Sequence, residues 1–434
     1  MIKRITFVAA TATAALSLAM TAFASGHPSK HRYTAVGASG GPDQVIQWNQ
    51  ELQKVLTVPG AQSAQVHPTR TLAITQIAVY DAVNGIVGGG EPFLVDIRGP
   101  RDAAPDAAAA SAARTALDAL LPSQQPTIDA FFQSSLAQIG SGEQVQQGID
   151  FGERVADAVL AARANDGASA TPPVFTPLTG PGEYQLTPTP LTPAGFTQTA
   201  HVTPFVLQGA SQFRPPAPPA LTSPTYIQDW QEVHSLGAAN STTRTADETL
   251  VGRFWGAAPV WIVWNQIADQ AGIGFGNSLE QNARELALLD TTLADGAIAL
   301  YDAKYTYHRW RPITAITAAD QGNPSTATDA GWVPLATTAN DPSYPGAHAE
   351  FSQAAATVLD DFFGTDVFPI SVTNATVGIT RTFASFSQAA NEASASRIFA
   401  GQHFRYDEEA GQALGAQVAD FVVDHTLQAN EPSR

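Results

Sequence analysis

The 434-residue chain contains no cysteine, and its two methionines are Met1 and Met20. The lack of cysteine excludes disulfide bonds as a source of stability. From residue 25 onwards the chain contains no sulfur, and thiols and thioethers are the side chains most easily oxidised. This composition favours an exported enzyme that makes or meets a strong oxidant. Compositional drift in an alanine- and threonine-rich protein is the alternative explanation.

Basic residues are scarce as well. The formal net charge is −17, which argues against nucleic acid as a partner. Only four lysines occur, and Lys304 is the only one beyond position 54. Because Lys304 lies in a cluster of basic and aromatic residues, a functional role is favoured over that of an ordinary surface lysine.

Long apolar runs are missing from the body of the chain, so no membrane span is expected after the N-terminus. At the N-terminus, Lys3 and Arg4 precede the apolar residues 5–20, and Ala22-Phe23-Ala24 fits a small-x-small cleavage pattern. We therefore expect a signal peptide over residues 1–24 and a secreted or periplasmic protein. A membrane anchor is the alternative, for which the apolar run is short.

No convincing run of alternating apolar and polar residues predicts a strand, and apolar residues recur at helical spacing. The predicted fold class is all-α. Three parts are expected: a helical N-terminal part (25–167), a proline-rich connection packed on the surface (168–224), and a C-terminal helical part (225–434). A floppy linker is the alternative for the connection. Helices are predicted over 43–57, 70–86, 107–121, 127–139, 144–165, 224–236, 245–271, 277–307, 344–363, 384–400 and 403–425.

Three clusters between Lys304 and Asp407 carry the candidate chemistry. In the first, Lys304 and Arg311 are seven residues apart, or two helical turns, so one helix face could present both cations. The second, Tyr344-Pro-Gly-Ala-His348, precedes an alanine-rich helix, whose first N–H groups can bind an anion. His348 near that end would be neutral and able to act as a base, although a structural capping histidine is the alternative.

The third cluster runs from Ser396 to Asp407. Arg397 adds a third cation near the end of one predicted helix, and His403 opens the next. Asp407, four residues after His403, can accept one ring N–H and leave the other nitrogen free as a ligand or nucleophile. Three cations, two histidines and free backbone donors together predict a site for a tetrahedral oxyanion.

The order Lys-x6-Arg-Pro, Pro-x-x-His and Ser-Arg-x5-His-x3-Asp resembles that of the vanadium-dependent haloperoxidases and the type 2 phosphatidic acid phosphatases. In the N-terminal half, Tyr80-Asp-Ala-Val-Asn84 and Phe254-Trp255 resemble the soluble bacterial haloperoxidase branch. The second motif departs from the family, because Gly346 stands where a serine hydroxyl usually contacts the oxyanion. Introducing a serine at position 346 is accordingly expected to raise or preserve activity.

The resemblance implies an α-helical bundle that holds vanadate as its cofactor. His403 would be the metal ligand, and the oxyanion would be bound by Lys304, Arg311, Arg397 and the backbone of Gly346 and Ala347. His348 would be the acid–base group, Asp407 would hold His403, and Lys304 would polarise the bound peroxide. The implied partners are hydrogen peroxide and halide, with a small organic substrate and a homo-oligomeric state also possible.

Three functions remain open at this point. The first is a secreted vanadium haloperoxidase that produces hypohalous acid. The second is a secreted acid phosphatase of the same fold, in which His403 is the nucleophile and His348 protonates the leaving alcohol. The third is a non-catalytic oxyanion-binding protein, which is disfavoured because binding alone does not require two histidines and Asp407.

Overall fold

The computed structural model describes residues 41–187 and 191–428, so the predicted signal peptide lies outside the described residues. The fold is mostly helical, and the predicted all-α class is confirmed. None of the helices in the described ranges is long and apolar enough to cross a membrane. The thirteen α-helices of these ranges are α1 (Gln44–Leu56), α2 (Thr69–Val87), α3 (Pro105–Leu120), α4 (Gln125–Ile139), α5 (Glu143–Arg163), α6 (Pro224–Leu236), α7 (Ala246–Gly256), α8 (Val260–Phe275), α9 (Leu279–Tyr307), α10 (Pro312–Thr317), α11 (Ala347–Phe363), α12 (Phe386–Phe399) and α13 (Arg405–His425).

The N-terminal helices pack closely because their contact faces carry small side chains. Helix α3 buries a run of alanines against α5. At the crossing, a Cβ atom on Gly148 would lie 3.0 Å from the Cβ of Ala107, which leaves no room for a larger residue. Small side chains therefore allow α3 and α5 to approach each other closely.

Helix α9 is the longest and runs through the centre of the molecule. Ser278 caps it in a capping box with Gln281, and leucines at turn spacing bury most of its length. It packs against α2, α8, α11 and α13. One continuous apolar core extends from α1 to α13, so the N-terminal and C-terminal parts share a single interior.

The proline-rich segment 168–224 is anchored to this interior in its described residues. The backbone N–H groups of Phe205, Val206 and Leu207 donate to the buried carboxylate of Asp295 on α9, at 2.6, 2.7 and 2.8 Å. Tyr184 is fully buried. These contacts fix the segment on the surface of the helical core.

Two features differ from the prediction. The single helix expected over 245–271 is two helices, because Pro259 lacks an N–H and adopts an extended conformation between α7 and α8. A hairpin was not predicted, but strands β1 (Val367–Asn374) and β2 (Ile379–Ser385) form an antiparallel pair. Pro369 in β1 obscured the strand pattern, and it lies where the register shifts, so no ladder hydrogen bond is lost.

Candidate oxyanion-binding site

The ends of α9, α11, α12 and α13 bring the three predicted clusters together. Lys304 lies in the last turn of α9, Arg397 in the last turn of α12 and His348 in the first turn of α11. Helix termini supply unpaired backbone groups and charged side chains at the same place. The clusters, which span about a hundred residues of sequence, therefore form one buried site.

Lys304 and Arg311 meet at Asp341, and this geometry corrects the prediction of a shared helix face. Helix α9 ends at Tyr307, and His308 turns the chain with a left-handed conformation (φ 47°). Arg311 lies beyond this turn and caps the short helix α10. The two cations converge through tertiary structure rather than through helical periodicity.

Asp341 is the buried counter-ion of both cations. Its Oδ1 accepts from Arg311 Nη2, its carbonyl accepts from Arg311 Nε at 2.8 Å, and its Oδ2 lies 3.6 Å from Lys304 Nζ. Burial pushes the pKa of Asp341 up, but Lys304 and Arg311 outweigh it and hold the pKa below its usual value. Lys304 also donates to the carbonyls of Pro342 and Ser343, and burial lowers its pKa to about 8 despite Asp341. The carboxylate holds both cations in place but does not use up all of their donors.

His403 lies in the loop before α13, and not at the helix start that was predicted. Its Nε2 is 2.8 Å from Arg311 Nη1, which can only donate, so Nε2 carries the lone pair. Its Nδ1 therefore carries the proton and faces Asp407 Oδ2 and Ser343 Oγ, each at 3.3 Å. Burial and the nearby Arg311 hold the pKa of His403 well below its usual value. The ring is neutral, and Nε2, whose lone pair accepts from Arg311 Nη1 in this structure, is the nitrogen that can act as a ligand or nucleophile.

Asp407 is held by its own set of donors. Its Oδ2 accepts from Ser343 Oγ at 2.6 Å and from the backbone N–H of Phe404 at 2.9 Å. Burial raises the pKa of Asp407 to about 6, against the lowering effect of the Ser343 hydrogen bond. A carboxylate fixed in this way orients the His403 ring, which is the arrangement that the sequence spacing predicted.

Arg397 is the cation with free donors. Its side chain is buried, yet Nε and Nη1 have no hydrogen-bond partner among the described residues. Burial lowers its pKa to about 10, although Glu408 opposes this shift. Buried donors without acceptors are costly in a native structure. An oxyanion with several acceptor oxygens would satisfy them.

Helix α11 begins at Ala347, three residues later than predicted, and Gly346 is its N-cap. The N–H of Gly346 donates to the carbonyl of Asp407 at 2.8 Å and is therefore not free for an anion. The N–H groups of Ala347 and His348 belong to the first turn, where a helix has no internal acceptor for them. Of the two residues whose backbone was predicted to bind the oxyanion, Gly346 and Ala347, only Ala347 can therefore offer its N–H.

His348 follows at the second position of α11 and is half-buried. Its Nε2 lies 3.0 Å from the carbonyl of Trp255, so Nε2 must donate and Nδ1 is left as the basic nitrogen. Burial, and then the charge of Arg397, hold its pKa well below the usual value. Among the predicted site residues, only Ala347 and His348 are partly exposed, so the opening to solvent is on this side.

The space beside Gly346 is filled by Glu408. A Cβ atom on residue 346 would lie 2.7 Å from the Glu408 carboxyl carbon and 3.1 Å from Oε2, and it would be closer still to Oε1. A side chain at position 346 therefore requires Glu408 to move. The expectation that a serine at 346 would raise or preserve activity is not supported by this geometry.

Three residues of the site were missed by the sequence reasoning, namely Asp341, Ser343 and Glu408. Asp341 and Ser343 precede the second motif by a few residues, in a stretch with no helical or strand periodicity to signal them. Glu408 directly follows Asp407, where a charged residue in the first turn of a helix is unremarkable. Only its burial, at 2% exposure, distinguishes it from its exposed neighbour Glu409.

Comparison with known proteins agrees with the resemblance found in the motifs. Residues 284–432, which contain all three clusters, match the family described as VCPO second helical-bundle domain. The fold is similar to that of a bacterial vanadium-dependent iodoperoxidase, with a TM-score of 0.76 and 24% identity over 90% of this chain and 97% of that one. It is also similar to a holo-type bacterial vanadium-dependent chloroperoxidase, with a TM-score of 0.66 and 16% identity over 88% of this chain and 97% of the other. No curated protein matches the chain by sequence.

The family match and the shared fold confirm the resemblance to the superfamily that contains the vanadium haloperoxidases and the type 2 phosphatidic acid phosphatases.

Proposed function

We propose that this chain, with its helical fold and buried oxyanion site, is a secreted vanadium-dependent haloperoxidase that uses hydrogen peroxide to oxidise halide to hypohalous acid. The observation that carries the proposal is Arg397, whose buried Nε and Nη1 lack an acceptor among the described residues. These donors belong to the same site as Lys304, Arg311 and the lone pair of His403 Nε2. Such a site fits an anion with several oxygens and one atom that accepts a nitrogen ligand.

Vanadate fits this donor set. Lys304, Arg311, Arg397 and the Ala347 N–H would hold its oxygens, and His403 Nε2 would ligate the metal. When bound, vanadate supplies the Lewis-acid centre that activates hydrogen peroxide toward halide. The protein contributes preorganised positive charge in a buried site, where electrostatic interactions are stronger than in water.

Two histidines have separate roles in the proposal. The contact with Asp407 fixes the proton of His403 on Nδ1, so Nε2 stays directed away from that carboxylate. The contact with the Trp255 carbonyl fixes the proton of His348 on Nε2, so its Nδ1 can accept a proton from hydrogen peroxide. The mature chain has no thiol or thioether that the oxidising product could attack.

The second candidate is a secreted acid phosphatase that acts through a phosphohistidine. His403 favours it, because a neutral ring with an unprotonated Nε2, which accepts a hydrogen bond from Arg311, and an oriented Nδ1–H is also suited to attack phosphorus. Gly346 favours it as well, since the side-chain donor usual in the family is missing there. His348 would then protonate the leaving alcohol.

One pair of assays separates these candidates. Protein loaded with orthovanadate should brominate or iodinate a phenol dye when peroxide and halide are added. Hydrolysis of an aryl phosphate by the vanadate-free protein, with no halogenation by the loaded protein, would reverse the order of the two candidates. Parallel assays with chloride, bromide and iodide, and with small organic acceptors, would define the halide and the substrate.

The metal-ligand assignment is tested with two histidine variants. His403→Ala should abolish vanadate retention after gel filtration, whereas His425→Ala, an exposed histidine at the end of α13, should retain vanadate like the wild type. Full vanadium content in His403→Ala would refute the assignment. N-terminal sequencing of exported protein should begin at Ser25, and a retained residue 1 would refute cleavage, whereas a protein found only inside the cells would refute secretion. Gel filtration of the same sample would report the oligomeric state.

A further inference from the structure

The carboxyl group of Glu408 occupies the place that a side chain at position 346 would take. A Cβ atom on Gly346 would lie 2.7 Å from the Glu408 carboxyl carbon. Helix α13 lies directly against the start of α11 here, because a Cβ atom on Gly411 would be only 3.0 Å from Ala349 Cβ and 3.2 Å from the Glu350 backbone nitrogen. Close packing of the two helices therefore holds Glu408 against the start of α11.

This carboxyl group is not satisfied by the protein. Glu408 is 2% exposed, and neither of its oxygens has a hydrogen-bond partner within the described ranges. His403 Nδ1 lies 3.7 Å from Glu408 Oε1, which is too long for a hydrogen bond. A buried carboxyl group without partners needs a physical explanation, and contact with a bound anion would provide one.

The balance of charges in the site indicates whether the carboxyl group of Glu408 is neutral or ionised. Lys304, Arg311 and Arg397 are balanced in part by Asp341 and Asp407, so a neutral Glu408 leaves one positive charge for an anion. An ionised Glu408 would cancel that charge. Burial at 2% exposure, with no hydrogen-bond partner in the described ranges, favours the uncharged carboxylic acid over the carboxylate. As a carboxylic acid, Glu408 would have one O–H to donate.

We propose that Glu408 is an additional oxyanion-contacting residue, whose carboxyl O–H takes the role of the hydroxyl that Gly346 cannot provide. The glycine at 346 and the glutamate at 408 thus form one unit: the donor comes from α13 rather than from α11, and only glycine leaves room for it. The inference rests on the proposed oxyanion site and adds one residue to it.

A set of matched variants tests this role by anion binding alone. Glu408→Gln keeps the size and a neutral donor, whereas Glu408→Met keeps the size and removes the donor. The double variant Gly346→Ser with Glu408→Ala returns a hydroxyl to the α11 side and clears its space. Glu409→Ala, on the exposed neighbour, is the control.

Isothermal titration with orthovanadate and with phosphate, without peroxide, gives the dissociation constants. We expect Glu408→Gln and Glu409→Ala to stay within threefold of the wild type and Glu408→Met to bind about tenfold more weakly, which is about 1.4 kcal/mol. The double variant should bind at least threefold more tightly than Glu408→Ala alone.

Two outcomes would overturn the inference while leaving the oxyanion site intact. Binding by Glu408→Met as tight as that of the wild type would mean that the carboxyl group makes no contact. Tenfold tighter binding by Glu408→Gln would mean that Glu408 is an ionised partner of Arg397 that repels the anion. A wild-type protein that binds neither anion would instead overturn the proposed function together with this inference. Thermal melts of every variant confirm that folded protein is compared.

Discussion

Replacing Asp341 by asparagine is the most direct test of how the cations of the site are held. The carboxylate is 4% exposed and faces Lys304, at 0%, and Arg311, at 1%. Asparagine has nearly the same size and keeps an oxygen for Arg311 Nη2, so the substitution removes charge with little change in packing. Two buried cations then lose their counter-ion.

The expected loss of stability in Asp341→Asn follows from the distance between the charged atoms. At the 3.6 Å separation of Lys304 Nζ and Asp341 Oδ2, one pair of charges interacts by about 5 kcal/mol at an effective dielectric of about 20. Breaking a buried pair by removing one partner costs roughly 3–5 kcal/mol in other proteins. We expect the free energy of unfolding to fall by about 3–5 kcal/mol in Asp341→Asn.

The assay is urea unfolding followed by tryptophan fluorescence, in the absence and presence of phosphate. The matched control is Asp247→Asn, whose side chain is 68% exposed and pairs with Arg381 at 2.6 Å. Because water and salt screen this pair, the control should lose about 1 kcal/mol or less. Phosphate should restore part of the loss in Asp341→Asn, since a bound anion supplies the missing counter-charge. Equal losses in the two variants would refute the reasoning that Asp341 neutralises a buried cation pair.

Four further predictions concern neighbouring groups. Gly346→Ser should lower the free energy of unfolding by about 1–3 kcal/mol through overpacking against Glu408, and an unchanged thermal midpoint would contradict the close contact. Ser343→Ala should lower the free energy of unfolding by about 1.5–3 kcal/mol, because it removes the 2.6 Å hydrogen bond to the buried Asp407. The control is Ser387, an exposed serine that also donates to an aspartate, and Ser387→Ala should lower the free energy of unfolding by about 0.5 kcal/mol or less. Sulfate binding, measured by titration calorimetry, should weaken as the pH rises through about 8, where Lys304 loses its proton and Glu408 ionises, so Lys304→Met should reduce this dependence and Lys304→Met combined with Glu408→Gln should abolish it. Because the folded pKa of Lys304 lies below its ordinary value of 10.5, the unfolded chain binds more protons between these values, so Lys304 should make the protein more stable as the pH rises over that interval.

The helical fold was predictable because its signals are local. Capping residues such as Thr245 and Ser278, and leucines at turn spacing, mark most helix bounds to within a few residues. The hairpin after Phe363 was missed because a strand that contains a proline has a weak periodic signal. Helix starts at Tyr344 and His403 were placed too early, since both residues belong to the loops that precede α11 and α13.

The sequence by itself determined which chemical groups this protein brings to its site. Residue type and spacing within a motif are local properties, so Lys304, Arg311, His348, Arg397, His403 and Asp407 could be named in advance. Tertiary structure alone decided which of their atoms are free. Asp341 accepts from Arg311 and lies close to Lys304 Nζ, and the Gly346 N–H donates to the Asp407 carbonyl. Nε and Nη1 of Arg397 find no acceptor among the described residues. These facts depend on distances between residues far apart in the chain, as does the contact between Gly346 and Glu408, and no local pattern encodes such distances.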